Sequence, residues 1–169
     1  IAQLRSVLRN EMLKTRDTVF IPEGMFTKLA GNKTIYDYAQ SKAYPLGRLI
    51  DLADKASDRD TANLPAFITA LDDTHPLIRY WAATGCLILG DRAGAAKAKL
   101  QSHLNDEWPD VRVVVAEAVA HLGEREAGVK VIGDVIRTGN AYEALAAQNA
   151  LDFMWKDGLV TLADAQSLV

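Results

Sequence analysis

A segment of this chain recurs after 33 residues, and nothing else in the sequence limits the fold as much. Leu71-Asp72-Asp73-Thr74-His75-Pro76-Leu77-Ile78-Arg79 lies over Leu104-Asn105-Asp106-Glu107-Trp108-Pro109-Asp110-Val111-Arg112, and the match runs without a gap to Gly90 over Gly123. A period of this size marks a stacked array of supersecondary units. Within each copy the apolar residues have helical spacing. Ile78, Trp81, Ala82, Gly85 and Leu89 form one stripe, and Val111, Val114, Val115, Ala118 and Leu122 repeat it. Pro76 and Pro109 stand where a helix begins and a missing N–H costs nothing. Gly90 and Gly123 stand where a helix ends and the chain wants a positive φ.

A second, shorter helix is expected after each of these. Ala96, Leu100 and Leu104 mark one, and Ala127 to Val129, Ile132 and Ile136 mark the next. A further first helix is expected from about Tyr142 to Trp155, with Leu145, Ala147, Ala150, Leu151 and Met154 as its buried stripe. An earlier unit starts at Pro45-Leu46-Gly47-Arg48, which echoes Pro76-Leu77-Ile78-Arg79, and its partner helix falls around Leu64, Phe67, Ile68 and Leu71. The reading is all-α: an α-α superhelix of HEAT-like helical repeats over residues 45–169, about four helix pairs, the last ending short between Leu162 and Val169. A single pair leaves its stripe exposed, so the pairs must stack. Small residues at Ala83, Gly85, Ala116 and Ala118 let neighbouring backbones approach closely.

Residues 1–44 do not repeat. Ile1 to about Thr15 reads as an amphipathic helix, Val19 to Gly24 as an extended segment ahead of and through Pro22, and Met25–Ala30 and Thr34–Gln40 as short helices. This irregular helical lead-in is expected to pack on the array as the end of a preceding domain.

Several function classes find little support. The net charge is −3 and the Lys97, Lys99, Arg92 scatter is too thin for the basic stripe of a nucleic-acid binder. No stretch approaches the roughly 20 apolar residues of a membrane span. His75, His103 and His121 match no metal-ligand spacing, and His121 suits the C-terminal end of a helix dipole. The one cysteine, Cys86, sits among leucines and isoleucine as a small buried hydrophobe. Asp72-Asp73 and Asp106-Glu107 are turn carboxylates beside helix starts. No catalytic residue, cofactor site or metal site is assigned. Five residues mark a possible interaction surface: His75, Arg79, Tyr80, Trp108 and Arg112. Arg79 and Arg112 either line a groove for an acidic ligand or brace the next repeat through Asp73, Asp106 or backbone carbonyls. His75 and Trp108 occupy the same turn of successive units, as a recognition edge or as covers for their own cores. Tyr80 is either inter-repeat packing or a binding anchor.

Leu8, Met12, Thr15-Arg16-Asp17, Pro22-Glu23, Thr34-Ile35-Tyr36-Asp37-Tyr38, Tyr44-Pro45-Leu46 and above all Arg79-Tyr80-Trp81-Ala82-Ala83-Thr84-Gly85-Cys86-Leu87-Ile88-Leu89-Gly90 give the chain a further character. From residue 4 to about 154 it resembles the C-terminal part of certain bacterial sulfatases, in which an α/β catalytic domain is followed by HEAT-like repeats. The resemblance implies a scaffold or interaction role without chemistry. Sulfatases convert a Cys or Ser in a Cys/Ser-x-Pro-x-Arg motif to formylglycine beside a divalent metal, whereas Cys86 is followed by Leu87-Ile88-Leu89. The partners implied are the chain's own catalytic domain or another protein, with a homo-oligomer as a further possibility, and the compartment implied is periplasmic or extracellular. The alternative is a free-standing HEAT-like protein-interaction module.

Overall fold

The computed structural model describes residues 2–166 and is all-α, with no strand among the described residues. Four first helices stand side by side: α4 (Leu46–Ser57), α6 (Pro76–Leu89), α8 (Pro109–His121) and α10 (Ala141–Lys156), each packed on the next. Their partners α5 (Leu64–Ala70), α7 (Lys97–Ser102) and α9 (Arg125–Thr138) form a second layer, in contact with α6, with α8 and with α8 and α10 respectively. The lead-in carries α1 (Ala2–Thr15), α2 (Phe26–Ala30) and α3 (Ile35–Gln40), and a short α11 (Leu162–Gln166) closes the described chain. The expected last unit extends to Val169, so its end lies outside the described residues, as does the Ile1 start of the first helix.

The helix boundaries follow local chemistry. Pro76 and Pro109 occupy the first turns of α6 and α8. Gly90 and Gly123 follow those helices at φ of 58° and 91°, which a side chain would oppose. Asn140 and Glu143 form a reciprocal capping box at the start of α10, and Thr34 with Asp37 does the same for α3.

The apolar stripes turn inward. Ile78, Ala82, Val111, Val115 and Ala118 are buried in a core that runs from the lead-in to α8, and a second cluster joins Val113, Ala116 and Ala120 to Ile132, Ala147, Ala150 and Met154. Small residues set the helix spacing. A Cβ on Gly85 would meet the Phe67 ring at 2.6 Å, and one on Gly128 would meet the Ala116 carbonyl oxygen at 2.5 Å. The α8–α9 crossing therefore tolerates only glycine at that position.

Three local expectations change. After α6 the chain runs as a 3-10 helix over Gly90–Ala96, where two glycines weaken the α-helix, before the short α7, and Leu104 falls in the turn that follows α7. After α8 the partner is not shorter: α9 has 14 residues against 13. Val19–Gly24 is not extended. The Asp17 carboxylate accepts the Val19 N–H at 3.0 Å, Ile21 N–H donates to the Thr18 carbonyl at 3.0 Å, and Glu23–Met25 is 3-10, so Phe20 and Ile21 fold inward.

The lead-in is strapped across the first helices. Arg9 pairs with Asp51 on α4 at 2.7 Å. The Tyr44 hydroxyl donates to the Asp17 carbonyl at 2.6 Å, and Trp81 Nε1 donates to the Phe20 carbonyl at 2.9 Å. Phe20 meets Trp81 edge to face at 5.5 Å between ring centroids. The Glu23–Met25 turn then reaches the start of α8 and α10.

Candidate functional site

Most of the residues marked from sequence lie along the turns that lead into α6 and α8, and they make internal contacts. The Arg79 guanidinium forks onto Asp106, with Nε donating to Oδ2 at 2.7 Å and Nη2 to Oδ1 at 2.9 Å, while Nη1 donates to the carbonyls of Asp73 and Thr74 at 2.9 and 3.2 Å. One unit earlier Arg48, whose side chain is more exposed, reaches Asp73 through Nη2 alone. These links run from each first helix to the turn before the next. Burial pushes the Asp106 carboxyl up, but Arg79 and the Trp108 N–H outweigh it and hold it below the usual carboxylate range. Arg112 comes next, and its buried Nε has no hydrogen-bond partner. Asp73 and Asp106 each stand two residues ahead of a cap, His75 and Trp108; ahead of Asn140 that place holds Thr138, so no carboxylate awaits Arg112.

His75 caps α6. Its Nδ1 accepts the Leu77 N–H at 3.2 Å, and Nε2 lies 3.0 Å from the Tyr38 hydroxyl, which makes Nε2 the protonated nitrogen of a neutral ring. Burial lowers its pKa in keeping with that state. Trp108 is buried beneath Lys28, whose Nζ lies 3.9 Å from the ring centroid. His121 ends α8 with Nε2 at 3.5 Å from Asp157. Burial pushes the Cys86 thiol up to about 12, so it carries no thiolate. No cluster of His, Cys, Asp or Glu fit to hold a metal exists among the described residues. No helix among them is long and apolar enough to cross a membrane.

Tyr80 lies elsewhere. It lines a cleft of about 350 Å³ on the first-helix face, between α6, α8 and α10 and beside the Pro22–Gly24 segment of the lead-in. The repeat builds this cleft. Thr84, Glu117 and Asn149 each stand nine residues after the caps of α6, α8 and α10, and Tyr80, Val113 and Leu145 each stand five after them. Equivalent positions thus form two rungs across the floor. Asp110, in the first turn of α8, closes one end.

The electrostatics of the cleft are the reverse of those at the turns. Asp110 is only 3% exposed, and its Oδ2 has no hydrogen-bond partner. The backbone of Gly24 covers it so closely that an added Cβ would lie 2.5 Å from Oδ1. Burial pushes the Asp110 carboxyl up to about 6, with Glu143 adding to the shift. Burial likewise pushes Glu117 up to about 7, with Asp157 adding. The Tyr80 hydroxyl is raised by burial and by the charges of Asp110 and Glu117, so it feels both carboxyls. The lining side chains include Glu23, Asp110 and Glu117 and contain no Lys, Arg or His. Around the mouth, Tyr142, Leu145 and Phe153 are 55%, 51% and 55% exposed. Leu145, assigned from its spacing to the buried stripe of α10, faces this opening instead, because no first helix among the described residues covers that side of α10.

Asp110 and Glu117 escape sequence reasoning for a physical reason. An acid in the first turn of a helix ordinarily complements the dipole, and a lone Glu mid-helix ordinarily faces water. The available signal was their seven-residue separation, two turns on one face of α8. Fold and site define a stack of helix pairs with an acidic, aromatic-rimmed cleft on its first-helix face. Comparison of the chain with family models, with curated proteins and with solved structures gives no match.

Proposed function

We propose that this chain is a non-catalytic helical-repeat scaffold and interaction domain, and more specifically the C-terminal repeat region of a sulfatase-like hydrolase whose own catalytic domain or another protein is its partner. The observation that carries the interaction reading is the asymmetry of the first-helix face. The lead-in covers it over α4, over Trp81 of α6 and at the starts of α8 and α10, and beyond that edge the face stays open, with Tyr142, Leu145 and Phe153 exposed around a cleft. Exposed aromatic and aliphatic side chains grouped at a concavity are the usual makings of a recognition site. The sulfatase assignment rests on the Arg79–Gly90 run and the lead-in described above.

Two measurements test the parts separately. The reading frame upstream of Ile1 is expected to encode a Cys/Ser-x-Pro-x-Arg segment with Asp and Asn metal ligands. Its absence overturns the sulfatase assignment and leaves a free-standing interaction module. The isolated chain is expected to show only background hydrolysis of an aryl sulfate, and turnover lost in Asp110→Asn or Glu117→Gln overturns the non-catalytic reading.

A further inference from the structure

We infer that the cleft between α6, α8 and α10 receives a basic segment of a partner protein, which seats one Lys or Arg side chain on Asp110 and a second on Glu117. The inference rests on the interaction reading above and names the chemistry of its partner. Two features converge on it, and the ionisation of the carboxyls agrees with them. Asp110 lines the cleft, and its buried Oδ2 has no hydrogen-bond partner within the chain. Such an atom is costly to leave unanswered, and an ammonium or guanidinium is the donor that best answers it. The lining then carries Glu23, Asp110 and Glu117 with no compensating cation, so the charge that completes the site comes from outside. The upward shift of both carboxyls by burial is what a missing counter-ion produces.

Spacing and rim select the kind of cation. Seven residues of helix separate the two carboxylates by roughly 10 Å along α8. A polyproline II segment rises roughly 3.1 Å per residue with three residues per turn, so basic side chains at positions i and i+3 share one face roughly 9 Å apart and match both. Between the carboxylates the floor is Val113 and Val114, which suits an apolar residue or the stem of a lysine. The exposed Tyr142, Leu145 and Phe153 extend this apolar surface beyond the cleft, where a chain has side chains to place and a small free amine has none.

Calorimetry on the full chain tests this with three probes: a capped tetrapeptide with lysine at both ends and leucine second, the same peptide with glutamine at both ends, and 1,8-diaminooctane. The lysine peptide is expected to bind, and the glutamine peptide at least about tenfold more weakly. Asp110→Asn and Glu117→Gln are each expected to weaken the lysine peptide about tenfold or more, while unfolding measurements show both variants folded. Glu126→Gln, on the exposed start of α9, leaves binding unchanged. Equal binding of the two peptides, or no effect of either cleft variant, overturns the inference but not the scaffold reading. Diaminooctane binding as tightly as the lysine peptide replaces the protein segment with a free diamine and overturns the inference as stated. Self-association in the ultracentrifuge that both cleft variants abolish overturns it in favour of a second copy of this chain.

Discussion

Asp106 and Asp110 stand four residues apart at the start of α8, each with a side chain almost entirely out of water, and the structure treats them in opposite ways. At the turn edge, Asp106 receives two nitrogens of the Arg79 guanidinium and keeps its charge. In the cleft, Asp110 receives Gly24 backbone and a neighbouring Glu143, and its proton is held up to about pH 6. The first arrangement satisfies a buried charge from within and ties one repeat to the next. The second leaves a charge unsatisfied on a face that the stack does not cover. A protein tolerates the second only where the surrounding packing carries the cost.

The largest test removes the internal partner. Arg79→Ala strands Asp106 as a buried charge and is expected to lower the unfolding free energy by about 3–5 kcal/mol in denaturant titrations. The equivalent Arg112→Ala, at a position where Nε has no partner, is expected to cost clearly less. Similar losses at the two positions would mean that the Asp106 pairing does not set Arg79 apart from Arg112.

The next test relieves the unsatisfied charge. Asp110→Asn keeps the shape and removes the ionisation, so it is expected to stabilise the fold by about 1–3 kcal/mol at pH 8. Asp110 titrates at about 6 when folded against an ordinary 3.8, so its folded form holds a proton that the unfolded chain has released. Its contribution to stability is whole below that ordinary value and is lost as pH climbs through about 6. The gain from Asp110→Asn should therefore fade on acidification and vanish near pH 4, as read by thermal melts. A gain that persists at pH 4 shows that packing, not charge, is responsible.

Glu117→Gln extends the comparison along α8. Glu117 titrates at about 7 against an ordinary 4.5, so the wild-type chain loses stability through that window and the variant does not. The groups acting on the two carboxyls are Glu143 and Asp157, while Tyr80 responds to both and His121 lies on Asp157. Asp72, Asp73 and Asp106 work the other way: their carboxyls are held low by Lys99, Arg48 and Arg79 against burial, so their contribution disappears only in stronger acid. The smallest effect is expected from Thr138→Asp, which supplies the carboxylate that Arg112 lacks and should add about 0.5 kcal/mol in the same melts.

Much of this was legible beforehand because it is local. A 33-residue period, Pro at helix starts, Gly at helix ends and apolar stripes of helical spacing specify helices and require them to stack. The path of the irregular Val19–Gly24 segment is not legible in the sequence, because it depends on an Asp17 side chain and on a Trp81 indole from α6. The spacing of Leu145 fits the stripe of α10 and predicts burial, yet the residue is exposed. Its exposure depends instead on whether another first helix lies beyond it.

By itself, then, the chain's order of residues determined its helices, their limits and their repetition, since caps, propensities and periodicity act within a few residues of one another. Which polar groups end up answered and which stay open was decided only in three dimensions. Asp106 is answered by a guanidinium from α6, while Asp110 is covered by the backbone of Gly24 from the lead-in. Desolvation and pairing depend on what lies against a carboxylate in space, and no spacing along the chain reports that.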